Sequence, residues 1–391
     1  MEPGEFEALL GGPGRELMDE LHGYDEAEAL ALATKLRARY PASLVSAALT
    51  QARLRARAAA KFGALADVLF FTPAGLEQST RRSVAELRAR RYAAAGVRRV
   101  ADLCCGVGGD ALAFAAAGID VLAVDRDPLT CAVVRANAAA LNLADRIEVR
   151  CADVVKVSPE AEGCDAVFLD PARRTDLGRV FDPAAYSPPW EFAVALAGRV
   201  AAAGFKVAPG LPHALIPPEA EAEWVSDRGD VKEAGIYFGP LATAGRSATL
   251  LPGAHRLEAR GVPDPVPVAM GRYMYEPDGA VIRAHLIGEL AEELGAATID
   301  PKIAYLTAER LTRTPFASAY EVVEVLPFAV KRLKAFVRER GIGDLTIKKR
   351  GVDIDPRVLW KQLRPEGPES AILIITRVPG AHIAAVARSV G

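Results

Sequence analysis

Val100-Ala101-Asp102-Leu103-Cys104-Cys105-Gly106-Val107-Gly108-Gly109-Asp110 is the stretch whose reading decides the fold. It reads as a short buried strand ending in a glycine-rich turn, which the apolar residues 111–117 continue as a helix. Backbone N–H groups at such a helix start face whatever lies across the turn, so the stretch is a ligand cradle. A second acid, Asp125, closes the next apolar run, nineteen residues after Gly106. A doubly wound sheet sets a carboxylate against a ribose at that separation, which makes the turn, with Gly106, Gly108 and Gly109 at its base, a nucleoside site.

Downstream, residues 129–141 have helical periodicity, and 146–153 and 165–170 read as strands ending on Asp153 and Asp170. A helix over 190–203 and strands over 205–208, 222–225, 233–238 and 247–251 follow. Alternation of this kind predicts an α/β fold with a mostly parallel sheet, and acids at successive strand ends line the crevice where such sheets bind ligands. Asp125 is expected to accept both ribose hydroxyls, Asp153 to sit beside the base, and Asp102 to face a cationic ligand end. A dinucleotide fingerprint fits poorly: Gly106-Val107-Gly108-Gly109 lacks the third glycine, and the preceding acid suits an ammonium rather than a pyrophosphate.

A chain of 391 residues is long enough for two or three domains, and 51% hydrophobic residues supply their cores. A net charge of −2 gives no global pull toward nucleic acid, so any such surface must be a local patch. The cysteines (Cys104, Cys105, Cys131, Cys151, Cys164) lack metal-ligand spacing and fit reduced thiols. No apolar run approaches the ~20 residues that span a bilayer, and no basic segment followed by an apolar core opens the chain, so a cytoplasmic protein with no membrane or metal is expected.

Three parts are expected. Residues 1–92 are helical (7–21, 27–40, 44–60), and Arg81, Arg82, Arg88, Arg90 and Arg91 there read as a solvated face or, alternatively, a phosphate-tracking surface. Residues 93–252 are the α/β domain. The proline-rich run 261–267 is a stiff linker before a small α+β domain over 268–391. That domain has a helix over 281–294 closed by Gly295, strands over 304–306, 320–325, 345–348 and 371–378, a helix opened by Pro327, and another opened by Pro356. From Lys331 to Arg350, the basic residues Lys331, Arg332, Lys334, Arg338, Arg340, Lys348, Lys349 and Arg350 stand against Glu339 and Asp344 alone, and Arg357, Lys361 and Arg364 extend the patch.

The stretch 102–110, Val124-Asp125-Arg126-Asp127-Pro128 and Cys151-Ala152-Asp153 together resemble the S-adenosylmethionine site of Rossmann-like class I methyltransferases. The core is most similar to the cap guanine-N2 (trimethylguanosine synthase) branch. The resemblance implies that Asp110 and Arg126 join the cofactor site. In that branch a Phe-x-x-Thr-Pro element before the core reaches the cofactor; Phe70-Phe71-Thr72-Pro73 is similar, which implies cofactor contacts for Thr72 and Gln78.

At the acceptor motif the likeness breaks. The branch has Ser-Pro-Pro-Trp after the fourth strand, where this chain has Asp170-Pro171-Ala172-Arg173; Ser187-Pro188-Pro189-Trp190 spells the motif seventeen residues later and reads as a helix start. Asp170 and the Pro171 carbonyl are expected to orient an amine, and Arg173 with Arg174 to hold a phosphate or stack on a base. Asp-Pro-x-Arg also resembles uridine-C5 RNA methyltransferases, but their cysteine nucleophile is missing, since no cysteine follows Cys164. Residues 343–351 and 362–365 resemble a THUMP-like domain, which implies an RNA partner; the basic patch agrees with that independently. The expected function is S-adenosylmethionine-dependent methylation of a base nitrogen in structured RNA. The alternatives are a protein or small-molecule acceptor, or a non-catalytic RNA-binding protein that binds the cofactor.

Overall fold

The computed structural model describes residues 2–171, 174–175, 178–179 and 186–390, the two short pairs by backbone alone. The chain divides into two compact units, Met1–Ala222 with Glu233–Thr243, and Glu223–Lys232 with Ala244–Gly391.

The first unit begins with helices α1 (Pro3–Leu10), α2 (Gly12–Glu20), α3 (Ala29–Arg37), α4 (Ala42–Phe62), α5 (Pro73–Gln78) and α6 (Arg82–Ala94). The single helix expected over 7–21 is two, because Gly11-Gly12-Pro13 interrupts it; Gly11 is extended and Pro13 sits in the first turn of α2. Phe6, Leu17, Leu36 and Val45 from these helices share one core with Val107, Phe114, Val134 and Phe168 of the α/β part.

Nine strands and three helices follow in chain order, of which β8 lies mostly in the second unit: β1 (Arg99–Leu103), α7 (Gly109–Ala116), β2 (Asp120–Asp125), α8 (Pro128–Ala140), β3 (Ile147–Cys151), β4 (Ala166–Leu169), β5 (Arg174–Thr175), β6 (Gly178–Arg179), α9 (Trp190–Ala197), β7 (Ala202–Val207), β8 (Glu221–Asp227) and β9 (Asp230–Phe238). Within the first unit the sheet runs β9-β7-β4-β1-β2-β3. β1 pairs in parallel with both β2 and β4, and the parallel order extends to β3 and β7; β9 is antiparallel to β7. Strands β4 and β7 are buried along their whole length, which is why each reads as a nearly continuous apolar run. The strand order reverses at β1, so the crevice of this doubly wound sheet opens at the C-terminal ends of β1 and β4.

The second unit contains β10 (Arg246–Leu251), β11 (His255–Glu258), β12 (Tyr273–Pro277), α10 (Gly279–Arg283), α11 (Ile287–Leu294), β13 (Ala297–Asp300), β14 (Ile303–Ala308), β15 (Ala317–Pro327), α12 (Val330–Glu339), β16 (Ile342–Lys349), α13 (Pro356–Leu363), β17 (Glu369–Val378) and β18 (Ala381–Ser389). Seven of these strands form a sheet in the order β13-β14-β12-β15-β18-β17-β16. Helices α12 and α13 cover it through Leu333, Val337, Leu359 and Leu363, packed with Leu345, Leu373 and Val386. The helix expected over 281–294 breaks at His285, whose backbone is left-handed at φ 54°, and Gly295 closes its second half as expected. Pro327 ends β15 instead of opening a helix, and a terminal strand position suits a residue without an N–H. Among the described residues no helix is long and apolar enough to cross a membrane.

One feature of the first unit fixes the approach to the crevice. Phe70 and Phe71 belong to no helix or strand, so their backbone groups lack ladder partners. Two buried amides supply them. Asn137 Oδ1 accepts from Phe70 N–H (2.7 Å), and its Nδ2 donates to the carbonyls of Phe70 and Val107 (both 3.0 Å). Gln51 accepts from Phe71 N–H (3.0 Å) and donates to the Phe71 carbonyl (2.7 Å). The segment is thus clamped between α4, α8 and the glycine turn. At Gly75, just beyond it, an added Cβ would lie 2.3 Å from Val107 Cγ1, so only glycine allows α5 to approach the turn this closely. Replacing Asn137 by Ala leaves buried groups unpaired at ~1–3 kcal/mol each, so exchange of the Phe70 amide with deuterium is expected to accelerate about 10- to 100-fold. An unchanged exchange rate contradicts the clamp.

Candidate functional site

The site forms where β1, β2, β4 and β7 end. Past Leu103 the backbone turns through Cys104, Gly106 and Gly108, all left-handed (φ 61°, 54° and 86°), and α7 starts at Gly109. Glycine bears that conformation without penalty; at Cys104 a side chain bears it at a cost of about 1–2 kcal/mol. The Gly106 N–H donates to Asp125 Oδ2 (3.1 Å) and the Asp127 N–H to Asp125 Oδ1 (3.0 Å). Each oxygen of Asp125 keeps a further lone pair for a hydroxyl. Asp153 is exposed and caps a short turn by accepting from Val155 N–H (3.2 Å), and Arg126 is exposed.

Asp102 is the anomaly of the site. It is 1% exposed, and neither carboxylate oxygen has a hydrogen-bond partner among the described residues. Burial first, then the Asp110 and Asp170 carboxylates, push its pKa well above the ordinary carboxylate range. An unpaired buried acid at the end of β1 fits the expected cationic ligand end, so the residues present suit the cofactor that the sequence implies.

The buried charges around it are paired. Asp110 is engaged by Arg88, which also binds Glu233 and lies over the Phe168 ring (4.2 Å to its centre). Burial works against the guanidinium, but Asp110 and Glu233 outweigh it and hold its pKa well above the usual value. The solvated reading of the α6 arginines therefore fails for Arg88, whose side chain is 1% exposed. Lys206, 5% exposed on β7, donates to Asp170 Oδ2 (2.6 Å) and to Thr80 Oγ1 (2.9 Å). The sequence marks neither Arg88 nor Lys206 as part of the site; a lysine inside an otherwise apolar strand is the available signal for Lys206.

Thr72 caps α5 by accepting from Gly75 N–H (3.0 Å), while Gln78 is exposed at the end of that helix. Lys61 holds the same helix at its other end, donating to the carbonyls of Leu76, Glu77 and Ser79. Asp170 follows β4, its N–H donating to the Leu103 carbonyl (3.2 Å), and Pro171 is buried. Ala172 and Arg173 lie outside the described residues, as does the side chain of Arg174. Ser187-Pro188-Pro189-Trp190 leads into α9, where Trp190 packs edge-on to Phe205.

Comparison with known proteins agrees with this geometry. Two strains of Mycobacterium tuberculosis carry a protein described as an uncharacterised S-adenosylmethionine-dependent methyltransferase; each is 34% identical over 338 residues, 83% of this chain and 90% of its own. The chain belongs to the S-adenosylmethionine-dependent methyltransferases. Within this methyltransferase, residues 97–191 match the family described as RNA cap guanine-N2 methyltransferase, 317–389 match a THUMP domain-like family, and 2–58 match a domain of unknown function. A crystal structure from Porphyromonas gingivalis W83, of a protein with a provisional methyltransferase name, superposes with a TM-score of 0.76 at 21% identity and covers 94% of this chain and 100% of its own. At that identity the likeness is one of fold.

The raised Asp102 pKa has a measurable sign. Its unfolded value is about 3.9, so the methyltransferase takes up a proton on folding, and stability falls as pH rises from there to the raised folded value, then levels off. Asp102→Asn removes that loss. The ligand-free variant is expected to melt about 2–4 °C higher than the native protein near pH 8, equivalent to ~1 kcal/mol, with the difference vanishing near pH 4. A lower melting temperature near pH 8 would sink this assignment.

Proposed function

We propose that the methyltransferase modifies a base nitrogen of structured RNA in the cytoplasm. The observation that carries the reading is the joining, in one chain, of a match to RNA cap guanine-N2 methyltransferases and a match to a THUMP domain-like family.

The cofactor supplies a methyl group on a cationic sulfur, open to attack by a nucleophile. In this reading Gly106, Gly108 and Gly109 present the backbone cradle, with Thr72 and Gln78 on the α5 side and Arg126 at the rim. Asp125 takes the ribose hydroxyls and Asp153 stands at the base. Asp102 meets the ammonium of the cofactor, and Asp110, held by Arg88, braces the start of α7. Asp170 and the Pro171 carbonyl orient the acceptor amine, with Arg173 against a phosphate. Orientation in the crevice then provides most of the rate, since no protein nucleophile is required.

The second unit offers an RNA-holding surface. Lys331, Lys334 and Arg338 follow one another along the exposed face of α12, and Lys349, Arg357 and Lys361 are exposed as well. Lys348 and Arg350 are drawn out of the expected patch: Lys348 Nζ lies 2.6 Å from Glu276 Oε2, and Arg350 lies 3.7 Å from Glu276 Oε1. In exchange, Trp360 stands 44% exposed on α13, one helical turn after Arg357, a ring able to stack on an unpaired base.

Nucleoside mass spectrometry of total RNA from cells with and without the protein tests the reading; one N-methylated nucleoside is expected to disappear, and identical profiles would refute RNA as the acceptor. For the surface, reversing Lys331 and Lys334 to Glu is expected to weaken RNA binding at least about tenfold near 0.1 M salt and to lower the slope of log affinity against log salt by about 2. Unchanged binding removes α12 from the interface.

A further inference from the structure

Asp170 is the acid of the acceptor motif, and its two oxygens are in different situations. Oδ2 receives the Lys206 ammonium at 2.6 Å, while Oδ1 has no hydrogen bond among the described residues. The Asp170 side chain is 23% exposed and Lys206 only 5%, so the lysine is the buried partner and the acid keeps accessible surface. Lys206 also holds Thr80, whose carbonyl lies beside Gly109 and which directly follows the Lys61-bound carbonyl of Ser79. One buried ammonium therefore ties the acceptor acid to the segment that joins α5 to α6 and runs beside the cradle at Gly109.

We propose that Lys206 is a positioning residue that fixes Asp170 as a hydrogen-bond acceptor for the substrate, and that it thereby restricts the methyl acceptor to a nitrogen that bears hydrogen, such as an exocyclic amine. This rests on reading Asp170 as the acceptor-side acid. A carboxylate accepts and does not donate, so Oδ1 engages an N–H or O–H and repels a ring nitrogen that offers only a lone pair. A hydroxyl also needs a base to take its proton as it attacks. An amine needs only orientation. Its nitrogen lone pair forms the N–C bond while the electron pair of the broken C–S bond stays on sulfur, and the nitrogen then releases one proton to water.

The test uses the full chain with S-adenosylmethionine labelled in its methyl group. Native protein, Lys206→Met, Lys206→Arg, Asp170→Asn and the Lys206→Met/Asp170→Asn pair are incubated with RNA, protein and small-molecule fractions of cells that lack the protein. Calorimetry with unlabelled S-adenosylmethionine runs in parallel. Lys206→Met is expected to lower kcat about 30-fold in the native background but less than about threefold when Asp170 is already Asn, because residues acting through one contact are non-additive. Cofactor affinity is expected to stay within about threefold and KM to change little; Lys206→Arg is expected to recover part of the rate. The methylated product is expected to be a former N–H nitrogen.

A full loss from Lys206→Met in the Asp170→Asn background, or a cofactor affinity that falls together with the rate, makes Lys206 a structural residue and overturns the proposal. So does label on oxygen, on carbon or on a nitrogen without hydrogen, and so does an absence of transfer to every fraction. Label on an amine of a protein or small molecule, with the coupling intact, would refute the RNA reading while supporting the role of Lys206.

Discussion

The constraint on which this site depends is the cost of burying charge. Four acids, Asp102, Asp110, Asp170 and Glu233, crowd the crevice edge of the sheet with two cations, Arg88 and Lys206. Arg88 neutralises Asp110 and Glu233, and Lys206 neutralises Asp170. Asp102 is left over. An unpaired carboxylate in a low-dielectric interior is destabilising, and a fold that keeps one is poised for a ligand that supplies the missing cation. A cofactor carrying both an ammonium and a sulfonium meets that need, and this is the cofactor of the family to which the chain belongs.

The same arrangement explains why the N-terminal helices pack with the α/β core. Arg88 comes from α6, and the Phe70-Phe71 segment before α5 is held by Gln51 of α4 and Asn137 of α8. These helices bring both the counter-charge beneath the cradle and the segment that leads to its edge. Thr80, at the junction of α5 and α6, carries the connection on to Lys206 and Asp170. Cofactor side and acceptor side are therefore linked through buried polar contacts, which in an apolar surrounding hold geometry more tightly than exposed ones.

Much of this was legible in the sequence because it is local. The cradle, the spacing to Asp125 and the acids ending β3 and β4 depend on short-range pattern, and the parallel strands announce themselves as apolar runs. The rest depends on distant partners. Arg88 looks like one more arginine on a polar helix until Glu233, 145 residues away, meets it inside the sheet. Asn137 and Gln51 sit among alanines and resemble ordinary helix polarity, since their task is to satisfy a backbone segment 67 and 20 residues away. The basic patch is legible as composition but not as surface: Glu276 lies 72 residues before Lys348 and draws it inward. Trp360, an isolated aromatic, gave no pattern to read.

The most direct test of the charge argument varies the ligand rather than the protein. S-adenosylhomocysteine retains the ammonium of the cofactor, and its deamino analogue lacks it. Calorimetry is expected to show the analogue binding the native protein at least about tenfold more weakly, the size of a lost charge-assisted contact of ~1.5–3 kcal/mol, and the difference collapsing in Asp102→Asn. Equal affinities of the native protein for the two ligands would contradict the account.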